Sequence, residues 1–237
     1  MKKQLIAITA FFLLVFPSLA FGASTNFGVA GALATVDASG TETTSAGDSG
    51  TANTNSGQTN NANIFIGSVY AEFESDWNAF TLGVEWTPGT ADVSDNVKTR
   101  TDTETSVTGT TAASDSSREF KAQAEVENFM QTYAEVNVVD NLFIRASIAQ
   151  IDVNTTETKS SNGGSYGNDT LDGVGYGVGF KGDLAFGNNL GYKLYYENIN
   201  FDTLSLTSTG NSVTAETNKI TADLDIETLK LAVSYKF

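Results

Sequence analysis

Histidine and cysteine are both missing from the 237 residues, and proline occurs only twice. Without cysteine the chain can form no disulfide, no thiolate nucleophile, no Cys-bound metal site and no cysteine-linked lipid anchor. Without histidine it lacks the usual general base of hydrolases and the commonest metal ligand. The expectation is therefore a non-enzyme, with no catalytic residue, no cofactor and no metal site. Basic residues are scarce too, 13 Lys and Arg against 28 Asp and Glu. Nucleic acid is not an expected partner, because binding phosphates needs a basic patch. Nor does any stretch reach the ~20 consecutive apolar residues of a membrane helix. That last test is blind to barrels, whose signal is alternation.

The N-terminus has the layout of an export signal. Lys2 and Lys3 precede an apolar run from Leu5 to Phe16, which is too short to span a bilayer as a helix, and Pro17 and Ser18 break it. Ala20 and Gly22 are small residues at the two positions a signal peptidase inspects. Residues 1–22 are expected to be a signal peptide, cut after Gly22, and 23–237 the mature domain. A cut after Ala23 fits less well, with bulky Phe21 upstream.

The mature part alternates with a period of two in eight runs, which signals strand. In the first, Phe27, Val29 and Leu33 alternate with Gly28, Ala30, Ala32 and Ala34. In the second, Phe65, Val69, Ala71 and Phe73 oppose Ser68, Tyr70, Glu72 and Glu74. The third sets Phe80, Leu82, Val84 and Trp86 against Thr81, Gly83 and Glu85, and Pro88–Gly89 should end it. The fourth gives one parity to Phe120, Ala122, Ala124, Val126, Met130, Ala134 and Val136. Its other parity holds Lys121, Gln123, Glu125, Glu127, Gln131 and Glu135. Good helix formers in this run favour a helix locally, but its apolar positions fit period two better than 3.6. The fifth sets Leu142, Ile144, Ala146 and Ile148 against Phe143, Arg145 and Ser147. The sixth sets Val174, Tyr176, Val178 and Phe180 against a glycine ladder and Lys181. The seventh sets Leu194 and Tyr196 against Lys193, Tyr195 and Glu197, and the last sets Leu229, Leu231, Val233, Tyr235 and Phe237 against Lys230 and Lys236. Leu224 and Ile226 fall on the wrong parity for that last face. A bulge near Glu227 and Thr228 would reconcile them.

The connections alternate in length: polar tracts near 37–63, 90–117, 154–170 and 205–218, and short turns at 75–78, 140–141 and 187–189. Outer-membrane barrels have this arrangement, with short periplasmic turns and long outer loops. The expected fold is all-β, an eight-stranded antiparallel up-and-down transmembrane β-barrel, its apolar rows toward lipid and its charged rows toward the lumen. Closure is required, because an open sheet edge leaves backbone groups unpaired in hydrocarbon.

The chain end carries a resemblance as well. Alternating apolar residues finishing in Tyr235 and Phe237 are similar to the terminal assembly signal of bacterial outer-membrane proteins. The whole pattern resembles the small eight-stranded group of the outer-membrane protein A transmembrane domain and the opacity proteins. That resemblance implies a monomer in the cell outer membrane with both termini periplasmic. It implies outer-membrane lipids and lipopolysaccharide as surroundings, and the barrel-assembly machinery as a partner during biogenesis. The sequence as given ends at Phe237, so no peptidoglycan-binding domain is expected.

An eight-stranded barrel is just wide enough for its inward side chains to fill it, and charges inside must be paired. The expected interior network is Glu72, Glu74, Glu85, Lys121, Glu125, Glu127, Glu135, Arg145, Lys181, Lys193, Glu197 and Lys230. Acids outnumber bases in that set. The resulting reading is a structural or surface-interaction role with a plugged interior; the alternative is a small porin-like channel for ions or small solutes. Glu72 and Glu74 have the residue types for acid–base work, but two positions apart on one strand they make an ordinary inward row. Asp223, Asp225 and Glu227, and Asp92 with Asp95, have cation-binding chemistry, though a solvated edge accounts for them. In detergent without heating, a closed barrel should migrate on a gel at a different apparent mass from the boiled chain. Identical mobility would overturn the barrel.

Overall fold

The computed structural model describes residues 24–44, 53–75, 79–93, 98–104, 107–108, 111–112, 116–158, 165–185, 189–209 and 217–237. The expected signal peptide and its cleavage position lie outside these residues. Strands follow in chain order as β1 (Ser24–Thr44), β2 (Asn53–Glu74), β3 (Phe80–Asp92), β4 (Lys98–Glu104), β5 (Val107–Thr108) and β6 (Thr111–Ala112). After them come β7 (Ser116–Val139), β8 (Leu142–Thr158), β9 (Asp169–Asp183), β10 (Leu190–Phe201), β11 (Leu204–Thr207) and β12 (Asn218–Lys236).

Eight of these close an antiparallel ring in the order β1-β2-β3-β7-β8-β9-β10-β12, and β12 pairs back onto β1. β4 and β11 extend the wall beside β7 and β12, and β5 and β6 form a hairpin of their own. The short connections β2–β3, β7–β8 and β9–β10 share one end with Ser24 and Phe237, here called the lower end. There the Phe237 N–H donates to the Thr25 carbonyl at 2.9 Å. The four polar tracts lie at the upper end, but much of them is strand: β1 runs on to Thr44 and β2 starts at Asn53.

The lower and upper halves of the wall are built on opposite principles. In the lower half the large apolar side chains face outward and are exposed, among them Leu33, Phe65, Trp86, Ile148, Val174 and Leu229. The outward row of β12 from Leu229 to Phe237 rises roughly 20 Å at the usual strand rise and tilt, close to the height of a hydrocarbon band. In the upper half the inward positions are apolar: Val36, Val126, Ile151, Leu171, Ile199 and Ile226 pack into one buried cluster. The outward positions there are polar and tied across strands, as in Thr35 to Asn63 at 2.9 Å, Gln150 to Asp172 at 2.8 Å and Asn200 to Asp225 at 2.6 Å. This half is the ordinary arrangement of a barrel wall standing in water.

That change of principle corrects the expected bulge near Glu227 and Thr228. β12 pairs β1 in unbroken register from Lys236 to Asn218, and Leu224 and Ile226 lie inside at 5% exposure each. Their parity is right; it is the medium outside the wall that has changed.

The irregularities are elsewhere. β7 takes one extra residue against β8 between Glu127 and Met130, with Asn128 in the left-handed region at φ 53°. Asparagine tolerates that conformation better than most residues. β3 takes an extra residue against β7 between Thr87 and Thr90, across Pro88 and Gly89, whose φ is +103°. Pro88 and Gly89 therefore bend β3 without ending it. The bulge in β7 reverses its parity, so Val126 points inward and Glu125 and Glu127 point outward, opposite to the expectation for the upper part of this run. Truncation in the upper cluster, Ile226→Ala, should lower stability by about 2–4 kcal/mol. Reversible urea unfolding into lipid vesicles measures it, and no change in midpoint would refute a packed upper core.

Candidate functional site

The lumen of the lower half is filled by side chains from strands on opposite sides of the ring. The glycine ladder of β9 and the small residues of β1 leave the space: a Cβ at Gly175 would fall 3.2 Å from a Glu197 carboxylate oxygen, and one at Gly177 3.3 Å from the Glu197 Cβ. Long residues on β2, β3, β7, β8, β10 and β12 occupy it.

Arg145 of β8 is the hub. Its Nη2 donates to Glu85 Oε2 of β3 at 2.9 Å, its Nη1 to Glu135 Oε1 of β7 at 3.3 Å, and its Nε to Glu197 Oε1 of β10 at 3.1 Å. Its guanidinium carbon sits 3.5 Å from the Tyr133 ring centroid and 4.8 Å from that of Tyr195. A planar fork with donors on three edges and open faces suits this place as an ammonium would not.

Two lysines complete the layer. Lys230 of β12 reaches across the lumen to Glu85 Oε1 at 2.8 Å and Gln131 Oε1 at 3.1 Å, and lies 3.6 Å from Glu197 Oε2. Lys193 of β10 donates to Glu135 Oε2 at 2.6 Å and to Glu72. Hydroxyls take further lone pairs, with Ser68 on Glu85 at 2.7 Å, Ser147 on Glu197 at 2.8 Å and Tyr133 on Glu72 at 2.8 Å. Nearer the lower mouth, Glu74 accepts from Lys181 at 2.8 Å and Lys236 at 3.2 Å.

Nine of the twelve residues expected in the interior network are in these contacts: Glu72, Glu74, Glu85, Glu135, Arg145, Lys181, Lys193, Glu197 and Lys230. Three are not. Glu125 and Glu127 are turned outside by the β7 bulge, where Glu127 accepts from Asn154 at 2.7 Å. Lys121 lies on β7 opposite Thr158, and its side chain is outside the described residues. The expected excess of acid disappears once Glu125 and Glu127 are outside and Lys236, which pairs with Glu74, is counted. Among the described residues, Glu72, Glu74, Glu85, Glu135 and Glu197 meet Arg145, Lys181, Lys193, Lys230 and Lys236 in the luminal ion pairs, five against five.

Lys236 and the aromatic pair Tyr133 and Tyr195 were absent from the expected set. The signal was there, since each shares the parity of a residue in it. Glu72 and Glu74 belong to separate clusters, each engaged by lysine, so they form no acid–base pair. Asp223 and Asp225 face outward, one accepting from Thr203 and the other from Asn200, and Asp95 lies outside the described residues. Among the described residues no group of three or more acids could hold a metal ion.

Removing one member of a buried, hydrogen-bonded charge cluster strands its partners. Arg145→Leu should therefore cost about 3–5 kcal/mol and lower the unfolding midpoint in urea. Glu125→Gln, outside the lumen, should stay within about 0.5 kcal/mol. Equal effects of the two would refute the inside–outside assignment.

No protein-family model matches the chain, and no curated protein is significantly similar to it. Solved structures do match in shape. The outer-membrane protein AlkL, determined in lipid bilayers, superposes with a TM-score of 0.52 at 13% identity over 92% of each chain. Ail, the attachment invasion locus protein of Yersinia pestis, matches at 0.41 and 10% identity over 92% of this chain and all of its own. The outer-membrane protease OmpT from Escherichia coli matches at 0.41 and 9% identity over 90% of this chain and 97% of its own. At these identities the likeness is one of architecture. With its closed ring, apolar outer band and ion-paired interior, the chain has the eight-stranded up-and-down fold of the small outer-membrane β-barrels.

Proposed function

We infer that this is an integral outer-membrane protein with a structural and surface-interaction role, its axial path shut by the luminal ion network. One observation carries the reading: Arg145, Lys193 and Lys230 tie four carboxylates from four strands across the lumen. Opening a water path would separate buried charges that now neutralise one another, at a cost of several kcal/mol per ion. The upper half supports the surface role. Its polar outward face and apolar core are suited to water, so the barrel projects beyond the apolar band as a rigid platform for the long connections.

The buried carboxylates are held by cations inside the lumen, which supports a role without catalysis. The proposed topology puts Ser24, Phe237 and the short turns in the periplasm, after cleavage behind Gly22. The mature protein should then begin at Ala23 by N-terminal sequencing and fractionate with the outer membrane. The small-channel reading rests on the same charged lumen, and one measurement separates the two. In planar bilayers the plugged barrel is expected to be electrically silent. Steps of stable amplitude from the wild-type protein would favour the channel and overturn the plug.

A further inference from the structure

Above the pair Val69–Trp86 the wall parts between β2 and β3. β2 continues upward on β1, and β3 continues on β7, yet among the described residues no backbone hydrogen bond joins the two beyond that point. The seam begins at the level of the apolar band, because Phe65, four residues above Val69 on β2, points outward at 75% exposure. The facing edge of β3 is suited to having no partner. Pro88 has no N–H to leave unpaired there, and Gly89 bends the strand.

A cavity of about 50 Å³ opens on this seam. Ile64 and Ile66 of β2, Ala91 of β3, and Val126 and Phe129 of β7 wall it with hydrocarbon. Thr87 also lines it, 8% exposed, and its Oγ1 has no hydrogen-bond partner. A buried hydroxyl without a partner is costly. Water is a poor remedy, since an ordered buried water needs two to four polar partners and apolar cavities stay dry. An apolar void also forfeits the dispersion contacts of its lining. An alkyl chain bearing one oxygen satisfies both deficits. Glu127 at the rim disfavours a carboxylate, so the oxygen belongs to a neutral group.

We propose that this seam is a binding site for a small neutral amphiphile, an alkyl chain carrying one hydroxyl or carbonyl oxygen, which enters sideways through the barrel wall from the bilayer. Its oxygen meets Thr87, and its alkyl chain fills the cavity among Ile64, Ile66, Val126 and Phe129. The site is separate from the ion network and stands whether or not the barrel conducts.

The test uses the full mature barrel in lipid nanodiscs, titrated with hexan-1-ol and with 1-chlorohexane, with empty nanodiscs as the reference. Saturable binding at one site per barrel is expected. Filling the cavity with Ala91→Phe should abolish it, and Ile64→Trp should do the same by a different wall; the heat-dependent gel shift reports that each variant is folded. Thr87→Val should weaken hexan-1-ol about five- to tenfold, the worth of one hydrogen bond, and leave 1-chlorohexane unchanged. Uptake no different from empty nanodiscs, or saturable binding that survives both filled variants, would overturn the site. Equal effects of Thr87→Val on the two probes would overturn the role given to its hydroxyl.

Discussion

A carboxylate enclosed in a narrow barrel keeps its charge only if a cation can reach it, and much of the lower half follows from meeting that condition. Glu85, Glu135 and Glu197 come from three different strands, and one guanidinium satisfies all three. Such a hub needs room on the neighbouring strand, which the glycines of β9 supply, and faces on which to rest, which Tyr133 and Tyr195 supply. Lys193 and Lys230 then close the remaining pairs from β10 and β12. The ring is thus bound together through its middle as well as around its wall. A cross-lumen network of this kind makes the strands' relative positions interdependent, because shifting one by two residues would strand several charges at once.

The same strands solve a different problem higher up. The alternation of side chains is a property of the backbone and continues from one end of β1, β8, β10 or β12 to the other. What changes is the solvent beyond the wall. Against acyl chains, apolar residues belong outside and charges inside; against water, the order reverses. Leu229 and Leu231 therefore point out of β12, while Leu224 and Ile226 a few residues away point in, with no break in register between them. The boundary is marked by the outward ring of Thr35, Asn63, Gln150, Asp172 and Asn200, hydrogen-bonded between neighbouring strands. The seam between β2 and β3 lies close to this boundary. There the lipid-facing and core-facing apolar surfaces come nearest to one another, which is why an apolar cavity can connect the two.

Much of the site was legible from alternation alone. A strand that keeps strict period two assigns every side chain to a face, and nine luminal residues were placed in that way. Glu125 and Glu127 were misplaced because a single extra residue at Asn128 inverts every assignment beyond it. No sequence pattern distinguishes such an inversion from a change of medium. At Leu224 and Ile226 a change of medium has the sequence pattern of a bulge; at Val126 a real bulge leaves the alternation looking unbroken. In both places an apolar residue appears on the unexpected face, and only the partner strand's register tells the two causes apart.

The sequence by itself determined the class of fold, the number of barrel strands, the order of short and long connections and the sign of charge on most luminal positions. These are local matters, fixed by backbone periodicity, turn residues and the partition of side chains between oil and water. Tertiary structure alone decided which charges meet, that acids and bases balance in the luminal pairs, where the two solvent regimes divide, and where the wall comes apart. Those depend on distances across the ring between residues as far apart in the chain as Glu85 and Lys230. Only closure of the barrel sets such distances, and closure is a property of the whole sheet.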